Sequence, residues 1–182
     1  MINGKSATFL PVGTDYPIVH KIKWATQIYK CWGQKILLDT EITRFLEAYR
    51  QQIQQTWSLM EQIGVVAECT DCAIHDGGSC CGIGIEDRFD TVLLLINLLL
   101  GAKLPDRRWD SKGCWFLGEK GCTIVARHVI CINYLCKRLY QKIDHAGLQR
   151  LQRQIIREAD ASFVLEERLK AWLRDRQGHG ER

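Results

Sequence analysis

The chain is predicted to fold as a mainly α domain with little or no sheet, interrupted by a cysteine-rich, loop-built metal site. Three observations carry this. Apolar residues recur at three- and four-residue steps over two long stretches, the signature of amphipathic helices. A shorter, almost wholly apolar run lies between them, as a helix buried on all sides requires. Eight of the nine cysteines crowd between residues 69 and 136, six of them in the stretches 69–84 and 114–123 that lack helical periodicity.

Taken in order, residues 1–35 hold two of the three prolines and much irregular sequence, and read as an N-terminal arm. From Ile36 the apolar positions Leu38, Ile42, Phe45, Leu46, Tyr49, Ile53, Trp57, Met60 and Ile63 form one stripe, predicting a long helix over 36–64 that stops at Gly64. The Gly-, Cys- and Asp-rich stretch from Cys69 to Gly84 reads as a loop. The carboxylates of Glu86 and Asp87 suit a helix start, and the apolar run then ends before Gly101. Residues 105–113 read as a solvated connector, and Cys114–Thr123 as a tight turn or hairpin with Gly118 and Gly121. Helical spacing resumes over 124–139. A last amphipathic helix covers 145–174, capped by Asp144, with Leu148, Leu151, Ile155, Phe163, Leu169 and Leu173 on one side. The 182 residues suit a single domain with a core large enough to need no covalent staples.

Composition narrows the function. Apolar and charged fractions of 46% and 25% are ordinary for a globular domain, and a net charge of +4 makes no case for nucleic acid. The lysines of residues 1–35, interleaved with Trp24, Tyr29 and Trp32, read as solvated surface over core aromatics. No secretory leader is legible at the N-terminus, and the apolar run 91–104, broken by Asn97 and Lys103, falls short of a membrane span. A cytoplasmic location is therefore expected, with no membrane partner. Thiols stay reduced there, and the odd cysteine count adds to the case against a disulfide framework.

A metal explains the thiols better. Cys69 and Cys72 form a C-x₂-C pair, a spacing that serves zinc knuckles and iron–sulfur centres alike. Cys72-x₇-Cys80 and Cys114-x₇-Cys122 add further thiols at loop-like spacings. Adjacent Cys80 and Cys81 alternate sides in extended backbone, so one of them ligates while the other supports, or two metals lie side by side. Cys131 and Cys136, about 140° apart on a helix, divide between the metal and the core. His75 and His128 are alternative nitrogen ligands; isolated Cys31 is a free thiol.

The series Cys69-Thr70-Asp71-Cys72, Cys80-Cys81, Cys114-Trp115-Phe116-Leu117, Cys122-Thr123-Ile124, Arg127 and Cys131 resembles the cysteine-cluster (YkgJ-like) family, described as zinc- or iron-chelating domains. The resemblance covers residues 69–136. The sequence departs from the family pattern at Trp115 and His128, where proline is usual, and in the longer gap between Cys72 and Cys80. It implies a metal or iron–sulfur centre held by Cys69, Cys72, Cys80, Cys81, Cys114, Cys122 and Cys131. Arg127 would donate to the centre or bind an anion beside it, against the plainer reading of an ion pair with an acid.

Three functions are thus weighed. The first is a metal-centre protein carrying an iron–sulfur cluster or similar iron site, with a structural zinc site as its alternative; Cys₄ sites suit both. A protein substrate or a redox partner is the kind of partner such a centre implies. The second is a metal-dependent modifying enzyme, methylase-like as in one branch of the family, or hydrolytic, with Glu86, Asp87 and Asp90 as its nearest acids. No G-x-G-x-x-G, Walker loop or H-E-x-x-H supports a nucleotide cofactor or a zincin. The third is an interaction module built on the long helices, whose stripes are explained more simply by mutual packing.

Overall fold

The structure, a computed structural model, describes residues 15–76 and 80–178. It is mainly α-helical, as predicted, with one two-stranded sheet among the described residues. Helix α1 (Ile18–Leu37) begins directly after Pro17, whose fixed φ suits the residue before a first turn. This corrects the reading of 1–35 as an arm: Ile18, Ala25 and Ile36 face the core from α1, while residues 1–14 lie outside the described ones.

The single helix predicted over 36–64 is also corrected. The chain breaks at Leu38–Asp39, and α2 (Thr40–Gln62) starts afresh with the Asp39 carboxylate accepting from the Ile42 amide at 3.1 Å. Leu38 had extended the apolar stripe by one step, yet it is 80% exposed. Capping at Asp39 outweighs periodicity there. Gly64, at φ 85°, ends α2 in the left-handed turn that glycine adopts without strain, and α3 (Val65–His75) follows at once. Cys69 and Cys72 therefore sit on a helix and not on a loop.

Residues 85–88 form a 3₁₀ turn, and α4 (Thr91–Leu99) is capped by Asp90, which accepts from the Leu93 amide at 2.7 Å. Eight of the nine residues of α4 are buried, matching the expectation of a helix enclosed on all sides. The predicted hairpin is present: β1 (Leu117–Gly118) pairs antiparallel with β2 (Gly121–Cys122), Leu117 facing Cys122. The helical spacing over 124–139 resolves into two short helices, α5 (Val129–Asn133) and α6 (Lys137–Lys142), separated by extended residues at 134 and 136. Cys131 and Cys136 thus do not share a helix. Helix α7 (His145–Gly178) closes the fold.

Helices α2 and α7 run against each other, and α1 packs on α4. Two apolar clusters result. The larger takes Ile42, Leu46, Tyr49 and Ile53 from α2, all of α4's apolar residues but Leu98, Phe116 and Leu117 from the hairpin, and Leu165, Leu169 and Trp172 from α7. The smaller takes Met60, Val65, Ile132, Leu139, and Leu148, Leu151 and Ile155 from the first half of α7. Helices α2 and α7 therefore span both. Among the described residues no helix is long and apolar enough to cross a membrane.

Candidate functional site: a thiol-lined cavity between two cores

A cavity of about 390 Å³ opens where the two clusters meet. Phe89, Phe116 and Leu117 of the larger cluster form one side, and Met60, Val65, Ile132 and Leu139 of the smaller form the other. All eight cysteines of the 69–136 window line it, and so does Arg127. Cys31 lies elsewhere, exposed on α1.

Each thiol arrives by an identifiable local device. One turn of α3 presents Cys69 and Cys72. That helix is moored on one side by Thr70, whose hydroxyl donates to the Lys120 carbonyl in the β1–β2 turn at 3.2 Å. On the other side Arg138 of α6 reaches across to three acids, with Nε 2.6 Å from Glu68, Nη2 on Asp71 and Nη1 3.1 Å from Asp76. Residues 81–83 and 112–114 run together as a short antiparallel pair. The Cys114 amide donates to the Cys81 carbonyl at 2.6 Å, the Ile83 amide donates to Lys112, and Gly82 bridges Gly113. This brings two segments far apart in sequence to one rim. Cys122 belongs to β2, Cys131 to α5, and Cys136 directly precedes α6.

A buried ion pair stiffens that rim. Glu86, 1% exposed, binds Arg108 and accepts from the Gly84 amide at 2.9 Å, while Arg108 also donates to the Gly113 carbonyl at 2.6 Å. Burial works to raise the Glu86 pKa, but the Arg108 hydrogen bond and charge together with backbone donors hold it below the usual range. Arg108 is thus an anchor and not part of the solvated connector expected at 105–113. Of the acids considered as helpers, Glu86 is committed to Arg108 and Asp90 to capping α4; none of the three lines the cavity.

The histidines do not reach the cavity. His75 is exposed, with Nδ1 2.9 Å from Asp71, and His128 uses Nδ1 to accept from the Ile130 amide as the cap of α5. Burial lowers the His128 pKa, so its ring is neutral, as that acceptor role requires.

Arg127 is held in place by two neighbours. Its guanidinium carbon lies 4.1 Å from the Trp57 ring centre, and Nη2 approaches the Met60 sulfur at 3.3 Å. Its Nε is buried with no hydrogen-bond partner, and no carboxylate forms an ion pair with it among the described residues, so the ion-pair reading of Arg127 is corrected. The segment leading to it is fixed by Asn97 of α4, a residue that looked like a mere interruption of an apolar run. Asn97 donates to the Leu93 and Ala126 carbonyls, each at 2.9 Å, and accepts from the Val125 and Ala126 amides at 3.0 and 2.8 Å. Behind Arg127, the Glu158 carboxylate on α7 is 1% exposed with both oxygens unpartnered. Thr56 stands beside it, but its hydroxyl donates to the Gln52 carbonyl. Burial raises the Glu158 pKa, with Arg127 opposing.

The thiols are equally shaped by burial. It pushes Cys69 up to about 11, Cys131 to about 11 and Cys114 to about 12, and it raises Cys122 as well. In the adjacent pair a hydrogen bond from the Cys81 thiol to the Cys80 sulfur holds Cys80 down and Cys81 up. Without a metal, Cys69, Cys81, Cys114, Cys122 and Cys131 therefore stand at the cavity as neutral S–H groups, while Cys80 is biased toward the thiolate. The seven predicted ligands share one chamber without meeting at a point: among the described residues no three His, Cys, Asp or Glu stand close enough together to hold an ion. Their chemistry suits a soft metal, and bringing them onto one requires side-chain and loop adjustment.

Fold and site together define a mainly α protein with a thiol-lined cavity at the seam of two cores. Comparison with known proteins finds no matching family model, and no curated protein or solved structure that is similar to the chain.

Proposed function

We propose that the protein carries a metal centre, an iron–sulfur cluster or similar iron site, bound through the thiolates of Cys69, Cys72, Cys80, Cys81, Cys114, Cys122 and Cys131. The observation that supports this reading best is that all seven, scattered over three segments of sequence, line one largely apolar cavity. A fold using cysteines only as small core residues would scatter them. Thiolates in a shielded site are the donor set that soft ions and iron–sulfur clusters select. The number of thiols and the adjacent pair favour the cluster over a lone zinc ion, which four suffice to hold. When bound, such a centre would supply electron transfer or a soft Lewis acid; the chain's part is to shield it and, through Arg127, to place one positive charge beside it. A cytoplasmic setting and a protein substrate or redox partner accompany this reading.

The test is purification without oxygen, followed by visible absorption and assay of iron, sulfide and zinc. Broad absorption near 400 nm, with iron and sulfide in equal amounts, is expected. A colourless protein with one or two zinc ions would replace the cluster by structural zinc, and a metal-free protein would end the proposal. Cys69→Ser and Cys72→Ser should each release the metal.

A further inference from the structure

Arg127 has more positive charge than its surroundings use. Apart from the Met60 sulfur it has no acceptor among the described residues, and Glu158, the acid within electrostatic reach, makes no hydrogen bond with it. A half-buried guanidinium stacked on an aromatic ring at a cavity wall, with its Nε unpartnered and no carboxylate hydrogen-bonded to it, is completed by an anion that accepts from it. The cavity has the character of a small-molecule site: about 390 Å³, enclosed mainly by apolar side chains, with Arg127, Arg138 and Lys120 as the cations that line it. We infer that it binds a small organic monoanion, an aliphatic carboxylate, with the carboxylate on the guanidinium of Arg127 and the apolar tail between Trp57, Met60, Val65 and Leu139.

The charge balance selects a monoanion. One guanidinium compensates one negative charge, and Glu158 behind it adds none of the positive kind. A phosphate dianion would leave a charge unpaired among apolar walls. Arg138, the other arginine at the cavity, is already shared by Glu68, Asp71 and Asp76. Lys120 lies in the hairpin turn at the rim and is exposed to solvent. The inference concerns the cavity of the metal-free chain, since the proposed centre would draw on the same Arg127 charge, and metal content assayed on the same sample keeps the two readings distinguishable.

The experiment is calorimetric titration of the purified protein, with its metals assayed, using the sodium salts of butanoate, hexanoate and octanoate, then 1-octanol and octyl phosphate at pH 8. Affinity should rise about fourfold per methylene until the cavity is filled. Octanol and octyl phosphate should each bind at least about tenfold more weakly than octanoate. Arg127→Met should remove that preference for the acid while octanol binding is kept. No heat with millimolar octanoate, or equal affinity for octanol and octanoate, overturns the inference. If Arg127→Met does not fold, the comparison of acid, alcohol and phosphate on the unaltered chain decides alone.

Discussion

Asn97 and Glu158 show how much a single buried polar group decides. The Asn97 amide makes four hydrogen bonds and is wholly enclosed. Removing it leaves the Val125 and Ala126 amides without their acceptor, so Asn97→Ala should destabilise by about 3 kcal/mol and loosen Arg127, measured by urea denaturation. Glu158 acts in the opposite sense. Its pKa is raised in the folded state, so the folded chain favours the protonated acid. That contribution is intact below the unfolded value of about 4.3 and is lost as pH rises through the folded value. Glu158→Gln should therefore raise Tm at pH 8 and lose its advantage near pH 4. An unchanged difference at the two pH values would show that the carboxylate is compensated. Neither role was legible from cysteine spacing; Gln154, Glu158, Ser162, Glu166 and Lys170 lie four apart along an amphipathic helix, and which of them are buried, Gln154 and Glu158, is set by packing against α2.

At the level of elements, the long amphipathic helices and the hairpin at Gly118 and Gly121 were legible because periodicity and turn chemistry act locally. The helix breaks were not. Leu38 continues the stripe across a boundary that Asp39 imposes by capping, and Gly64 permits a second helix to begin where a loop was expected. The C-x₂-C segment belongs to α3 because tertiary ties hold it: Thr70 on one side and Arg138 on the other, neither of them readable from local pattern. Arg138→Ala should thus act on one helix. Amide exchange in α3 should quicken severalfold, while the amides of α2 and α7 keep their protection and the global transition barely moves. Equal acceleration throughout would show that α3 is part of the main cooperative unit.

For the molecule as a whole, the gathering of the thiols was legible and their geometry was not. The seven predicted ligands do share a cavity, but the seam that contains it is set by how α2 and α7 divide their residues between two clusters. Removal of the proposed metal centre should accordingly lower Tm, since a ligand bound only by the folded state stabilises it. Proteolysis should then move to residues 65–90, with far-ultraviolet helicity nearly unchanged; a chelated sample that unfolds outright would contradict this. The same division has a consequence for the thiols. Of the eight thiols at the seam only Cys114 is fully buried; Cys81, Cys122, Cys131 and Cys136 pack against the cores from the side, and Cys69, Cys72 and Cys80 belong to neither. A chain with serine in place of all but Cys114 should still assemble its α2–α7 frame. The frame would thus keep its shape without much of its sulfur, and what gathers eight thiols at one seam is not what holds α2 against α7.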